Sequence, residues 1–217
     1  MNFEIMKESL PLLLAGAGIT VEITAASVGL GLFIGVVVSL IRLCGIRALR
    51  ILGDIYVTFL RGTPLLVQIF LVYFALPALI HHRVDAYVAA ISACSINSGA
   101  YVAEIFRGGI ESIDKGQMEA GRSLGMTWWQ TMRHIILPQA FKNVLPSLGN
   151  EFIVLLKETS VSGYIALQDL TKGGDIIRSQ TYTAFMPLTA VALIYLSVVM
   201  LFSWMLGKLE RKLKNNE

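Results

Sequence analysis

Glu119-Ala120-Gly121-Arg122-Ser123-Leu124-Gly125, followed after nine residues by Ile135-Ile136-Leu137-Pro138, is a short polar stretch between long apolar runs. Ala, Leu, Glu and Arg favour helix. Proline breaks a helix interior but suits a helix start, where its missing N–H would be unpaired anyway. The stretch therefore reads as a polar helical loop that ends where a new apolar helix begins. On either side, residues 23–41, 64–80, 86–103 and 183–206 contain no Asp, Glu, Lys or Arg. Each run is close to the roughly 17–25 residues that a helix needs to cross a bilayer. A fifth span, about 135–156, carries Lys142 and Glu151.

Composition supports an apolar solvent. The chain has 217 residues, 55% hydrophobic and 15% charged, with a mean hydropathy of +0.66. A soluble domain would carry about 25% charged residues. The expected architecture is one all-α integral membrane domain over residues 1–217. Its five transmembrane helices are expected at about 20–42, 64–80, 86–105, 137–157 and 183–207, with a cytoplasmic loop at about 107–135. The start, Met1-Asn2-Phe3-Glu4, is not a basic leader and no small-residue cleavage site closes the first apolar run. The first span is expected to serve as its own insertion signal. Cys44 and Cys94 lie in different segments without metal-ligand spacing, and read as apolar filler or reduced thiols. No Gly-Lys-Ser/Thr phosphate loop is present, so the chain is not expected to bind ATP.

Charge sets the expected orientation. With five spans the termini face opposite sides. Five of the 18 Lys and Arg (Lys7, Arg83, Lys157, Lys172 and Arg178) fall on one side and the other 13 on the side of the polar loop and the C-terminal tail. The positive-inside rule makes the latter cytoplasmic, with the N-terminus outside and the C-terminus inside. The net charge of +3 then reports topology, and no nucleic-acid partner is expected.

Residues 1–20 read as an external lead-in that runs into the first span. In the first span Gly31 and Gly35 form a small-xxx-small pair that admits another helix closely. With Gly29 they echo a dinucleotide loop, but no βα unit surrounds them. Residues 42–63 form a basic cytoplasmic connection ending in Arg61-Gly62-Thr63-Pro64, where Thr63 is expected to cap the next helix and Pro64 to occupy its first turn. That span should end before Pro77 or His81. His81 and His82 lack a third ligand and read as a solvated turn; no metal site is expected. Residues 107–134 are long enough for two short surface helices, and 157–181 for an outer loop that dips toward the pore.

The spacing of Glu119, Ala120, Gly125, Ile135, Leu137 and Pro138 resembles the EAA-x3-G-x9-I-x-L-P loop of bacterial ABC-transporter permeases. Further segments narrow the resemblance to the polar amino-acid permeases: Arg61–Gln68 looks like RGTPLLVQ, Ala103–Ile110 like AEIxRGGI and Gln117–Ala120 like GQxEA. Leu137–Ala140 matches LPQA and Leu155–Ser160 matches LLKxTS. The matches extend from the first span to the last loop, covering most of the chain. One departure is Gly121, where the family usually has Ala; it should weaken the short helix slightly without closing the docking surface.

The resemblance implies a permease that performs no covalent chemistry and is not itself an enzyme. It implies a second permease subunit, two ATP-binding cassette subunits that hold ATP and Mg, and an external amino-acid-binding protein, all at the bacterial cytoplasmic membrane. It assigns ATPase coupling to the loop of Met118, Glu119, Ala120, Gly121, Leu124 and Gly125. Small side chains there would seat the helix in a partner's groove, and Glu119 would favour the positive end of the helix dipole.

Polar groups within spans are costly in lipid and mark pathways or helix contacts. Glu151 lies 13 residues past Pro138, roughly 20 Å along a helix. It reads as a contact for a substrate cation, or else as the partner of Lys157 or Arg178, or as part of a wet vestibule. Asn150, Asn97, Ser98, Tyr101 and Gln68 could hold an amino acid's α-carboxylate and α-amine by neutral hydrogen bonds, or could join helices. Glu104 beside Arg107 reads as an ion pair steadying the loop.

The expected function is import of a polar amino acid by alternating access. A cation such as arginine, lysine or histidine is preferred because of Glu151 and an outer charge of −3 from five basic and eight acidic residues. Glutamine, glutamate or cystine are the alternatives. An intramembrane enzyme would need paired catalytic groups that no span contains. An ion-gradient transporter or channel would leave the polar loop without a purpose, and no internal repeat is visible.

Overall fold

The computed structural model describes residues 3–214, and every regular element among them is helical. In chain order these are α1 (Phe3–Leu43), α2 (Arg47–Arg61), α3 (Leu65–Ile80), α4 (Ala86–Glu111), α5 (Lys115–Ser123), α6 (Trp128–Thr131), α7 (Leu137–Glu158), α8 (Leu170–Thr181) and α9 (Phe185–Lys214). Three helices among the described residues are long and apolar enough to cross a membrane: Lys7–Leu43, Ala86–Glu111 and Phe185–Lys212. α2 and α3 together meet the same test but are bent by 105°. α7, interrupted by Lys142 and Glu151, is not among them.

α4 is the central post. Its buried face is made of small residues, including Ala89, Ala93, Ser98, Gly99 and Ala103, and α1 lies along it. A Cβ on Gly31 would meet Ser98 Cβ at 2.8 Å, and one on Gly35 would meet the Gly99 carbonyl oxygen at 2.9 Å. The small-xxx-small pair thus serves an intramolecular contact, in which dispersion between closely approaching backbones replaces the hydrophobic effect. Ile23, Ile69, Ala93 and Leu155 bring α1, α3, α4 and α7 into one core.

Several local expectations change. The lead-in runs into the first span as one helix: α1 is continuous from Phe3 with Pro11 inside it. The basic connection contains a 15-residue helix, α2. Pro64 occupies the N-cap position of α3 without a side-chain cap, and the Thr63 hydroxyl instead donates to Phe59 O at 2.9 Å. Of the two expected ends, α3 takes the second: it passes through Pro77 and stops at His81, whose φ of 52° is left-handed. It does so by widening into a π-turn over Leu71–Ala75. The same device, Met132–Ile136, precedes Pro138. A proline ring clashes with the carbonyl four residues earlier, and a π-turn moves that carbonyl away.

The segment 159–181 is ordered: a 3-10 turn (Thr159–Ile165) leads to α8. Asp169 caps α8 by accepting from Lys172 N at 2.8 Å. α8 lies against α1 through Gly173 and Leu13, and against α9 through Gly174 and Val191.

Candidate functional site

Glu151 is 7% exposed. Its Oε1 accepts a hydrogen bond from Ser98 Oγ at 3.1 Å, which joins α7 to α4. Among the described residues it pairs with no cation: Arg178 is engaged with Asp175 at 2.6 Å. Glu151 borders an open cavity of about 560 Å³, together with Tyr101, Ile105, Pro146, Ser147, Asn150 and Val154. Pro146, in the interior of α7, lies on this wall. The site therefore has one acidic side chain among neutral hydroxyl, amide and apolar groups.

Gln68 and Asn97 are held elsewhere. Asn97 Nδ2 donates to Gln68 Oε1 at 2.9 Å. Gln68 Nε2 donates to Leu60 O at 2.8 Å, Thr63 O at 3.0 Å and Thr63 Oγ1 at 2.9 Å. These contacts pin the 105° corner between α2 and α3 onto α4. Asn97 Oδ1 is buried without a protein partner. Tyr101 is one helical turn along from Asn97, and its ring lies 5.4 Å from the Arg61 guanidinium. Tyr101 is thus shared between the corner and the cavity.

An ion-pair network lies toward the α5 end. Glu104 pairs with Arg42 at 3.1 Å, with Arg61 at 3.7 Å and with Arg107. Arg42 also binds Asp54 at 2.7 Å, and Arg107 binds Glu111. The expected Glu104–Arg107 pair is present, and the wider network ties α1, α2 and α4 together.

In the loop, α5 starts at Lys115 with Asp114 as its N-cap, accepting from Gly116 N at 2.7 Å. Glu119 is therefore mid-helix and not at the dipole's positive end. Glu119, Ala120 and Leu124 are exposed, Leu124 by 82%, and Met118 is half-buried. Gly121 is buried; a Cβ there would meet Thr131 Cγ2 at 2.6 Å. Gly125 has φ +81°. Met126 N donates to Gly121 O at 3.1 Å and Gly125 N to Arg122 O at 3.0 Å, the two bonds of a glycine-terminated helix end. Its small size serves the turn, since open space surrounds its missing Cβ. Thr127 and Gln130 then cap α6 reciprocally.

Residues 27–215 match the family described as binding-protein-dependent transport system inner membrane component. The chain belongs to this family. This inner-membrane component is similar along its length to the Bacillus subtilis (strain 168) arginine transport system permease protein ArtQ, with 39% identity covering 100% of this chain and 99% of that one. It is 39% identical to the Escherichia coli (strain K12) glutamine transport system permease protein GlnP over 95% of this chain and 94% of that one. A solved structure described as an amino acid ABC transporter with histidines superposes with a TM-score of 0.93 at 42% identity, covering 98% and 99% of the two chains. An inward-facing MetNI methionine ABC transporter chain, 20% identical with a TM-score of 0.79, shares the fold. This component is a membrane permease subunit of the ABC type, and ATP hydrolysis belongs to separate subunits.

The structure brings Glu151, Asn150 and Tyr101 to one cavity, with Ser98 reaching it through Glu151. It does not bring Gln68 and Asn97 to the cavity lining. Sequence reasoning missed Arg42, Arg61 and Asp54 as partners of the Glu104 region. The signal available was four arginines (Arg42, Arg47, Arg50 and Arg61) flanking an amphipathic segment with a single acid, Asp54.

Proposed function

We propose that this permease is the membrane half of an ATP-driven importer of a polar amino acid, with a cationic substrate such as arginine, lysine or histidine. The supporting observation is Glu151. It is buried on a cavity wall and has one neutral hydroxyl donor and no cationic partner among the described residues. A lone carboxylate at such a depth is costly. A substrate ammonium or guanidinium offsets that cost while it is bound. The cavity lies within the few hundred Å³ usual for small-molecule sites. Asn150 and Tyr101 supply neutral polar groups for the amino-acid backbone, and Gln68 and Asn97 hold the corner that shapes the site. Glutamine is the second reading, because relatives named for glutamine transport, at 42% and 39% identity, are as similar to this chain as the one named for arginine, at 39%.

In this reading five helices span the bilayer, α7 included, with the N-terminus outside and the C-terminus inside. A second permease, the same chain or a similar one, completes the pathway. Met118, Glu119, Ala120 and Leu124 of the loop meet one of two ATPase subunits that carry ATP and Mg. An external binding protein delivers the amino acid. ATP binding and hydrolysis shift the pathway between two states of different substrate affinity, as a ligand-driven switch requires.

The test is uptake of labelled arginine into proteoliposomes containing the assembled transporter and its binding protein, with glutamine and cystine as competitors. Glu151→Gln is expected to reduce arginine uptake by about tenfold or more, the worth of a charge-assisted hydrogen bond, while the ATPase still assembles. Unchanged uptake would remove the reason for a cationic substrate. Uptake without the ATPase would overturn the ATP-driven reading.

A further inference from the structure

A second cavity, of about 460 Å³, opens between the end of α1, the start of α2, α4 and the first residue of α6. Its polar wall carries Arg42, Arg50 and Arg107, and its apolar wall includes Leu43, Ile110 and Trp128. Two carboxylates also line it, but each is already engaged: Asp54 by Arg42 at 2.7 Å, and Glu111 by Arg107. Arg50 is different. Its Nε donates to the Arg42 carbonyl oxygen at 3.2 Å, and among the described residues it pairs with no carboxylate. The cavity thus holds one uncompensated guanidinium, steadied by the backbone of a residue that is itself fixed by two acids. The remaining N–H groups of Arg50 form a fork suited to phosphate oxygens.

The site is placed where an amphiphile could enter. It lies at the end of the apolar α1 span, which stops at Leu43. Ile46, just before α2, and Leu49, in its first turn beside Arg50 in sequence, are exposed apolar side chains. Trp128 is half-exposed on its rim, and indole rings favour the membrane–water interface. A free phosphate ion would use the arginine and leave the apolar wall unsatisfied. A phospholipid uses both.

We propose that this cavity binds the phosphate of an anionic membrane lipid, with Arg50 as the principal contact and the upper acyl chains along Leu43 and Ile110. Because Trp128 opens the second helix of the loop, the bound lipid ties that loop to the membrane surface. The site is separate from the Glu151 cavity and does not depend on which substrate is carried.

The assembled transporter in a neutral detergent is titrated with phosphatidylglycerol, phosphatidylcholine or inorganic phosphate, following its thermal unfolding midpoint and, by native mass spectrometry, retained lipid. Phosphatidylglycerol is expected to raise the midpoint saturably. Arg50→Gln is expected to weaken that response at least tenfold. Arg211→Gln, which removes a charge from the exposed tail, is expected to leave it intact. Arg50→Lys keeps the charge but not the fork and is expected to fall between, which also guards against a general folding defect in the first variant. An unchanged response in Arg50→Gln, or an equal loss in Arg211→Gln, would overturn the site in favour of diffuse surface charge. An equal shift with inorganic phosphate alone would overturn the lipid and leave a simple anion site. Neither result bears on arginine uptake, so failure here and failure of the importer reading are distinguishable.

Discussion

Asp169 is 1% exposed, and only one of its carboxylate oxygens has a protein partner. Burial raises its pKa from 3.8 to about 6, outweighing the backbone N–H groups at the start of α8 and the Lys172 charge, which act the other way. Between about pH 4 and 6 the folded chain therefore holds a proton that the unfolded chain has released. Stability contributed at this residue is full below that window, falls as pH rises through it, and is flat above about pH 6. Asn can still accept the capping bond from Lys172 N. Asp169→Asn in nanodiscs is expected to flatten the fall in unfolding midpoint between about pH 4 and 6. It is also expected to be more stable than the native chain at pH 7.5, by at most about 3 kcal/mol for two pKa units. A native-like pH dependence in the variant would show that the carboxyl is solvated. Glu151 contrasts with it: it borders an open cavity and its single bond is to a side chain of another helix, a place for a ligand more than for a cap.

At the scale of elements, α5 shows two glycines with different reasons. Gly125 supplies a left-handed turn, whereas Gly121 supplies room against α6 and the π-turn beyond it. Gly121→Ala should gain about 1 kcal/mol of helix propensity. The new Cβ, however, meets Thr131 Cγ2 at 2.6 Å and Oγ1 at 2.9 Å. Thr131 is fully buried and β-branched, so it cannot swing aside cheaply. Overpacking of this kind costs about 1–3 kcal/mol, so a net loss is expected. Substrate-stimulated ATPase activity of the assembled transporter should fall in Gly121→Ala and recover in part when Thr131→Ala is added; no loss in the single variant would mean that α5 moves freely over α6. The loop's helicity was legible because its signals are local: a spacing, a proline and a glycine. The corner between α2 and α3 was not, because it depends on contacts between residues far apart in sequence. Gln68 meets Asn97 only where α3 packs on α4, and Arg42 meets Glu104 only where α1 packs on α4. Candidate site residues were found as polar intruders in apolar runs, a test that cannot separate Gln68, bonded within the protein, from Asn150 on the cavity.

For the whole molecule, one helix decides how many times the chain crosses the bilayer. α1, the bent α2–α3 pair, α4 and α9 meet the apolar test. If only these cross, the chain from Ser112 to Tyr182 stays on one side. If α7 also crosses, Ser123 and Gln180 lie on opposite sides. Two arguments favour crossing. α7 packs against the central α4 over a buried contact in which a Cβ at Gly109 would run into Val144. Its charged groups are also not all turned to lipid: Glu151 is buried on α4, and a cavity opens beside it. Polar residues that face protein or a wet cavity escape most of the cost that excludes them from lipid. Cysteine reporters decide the matter after Cys44 and Cys94 are replaced by Ala. Ser123, Gln180, His82 and Lys212 are all exposed, so each accepts a cysteine without disturbing packing. A membrane-impermeant maleimide added to intact cells is expected to label His82→Cys and Gln180→Cys. Ser123→Cys and Lys212→Cys should label only after permeabilisation. If Ser123→Cys and Gln180→Cys label together, α7 does not cross, and Glu151 would no longer lie on a route through the membrane.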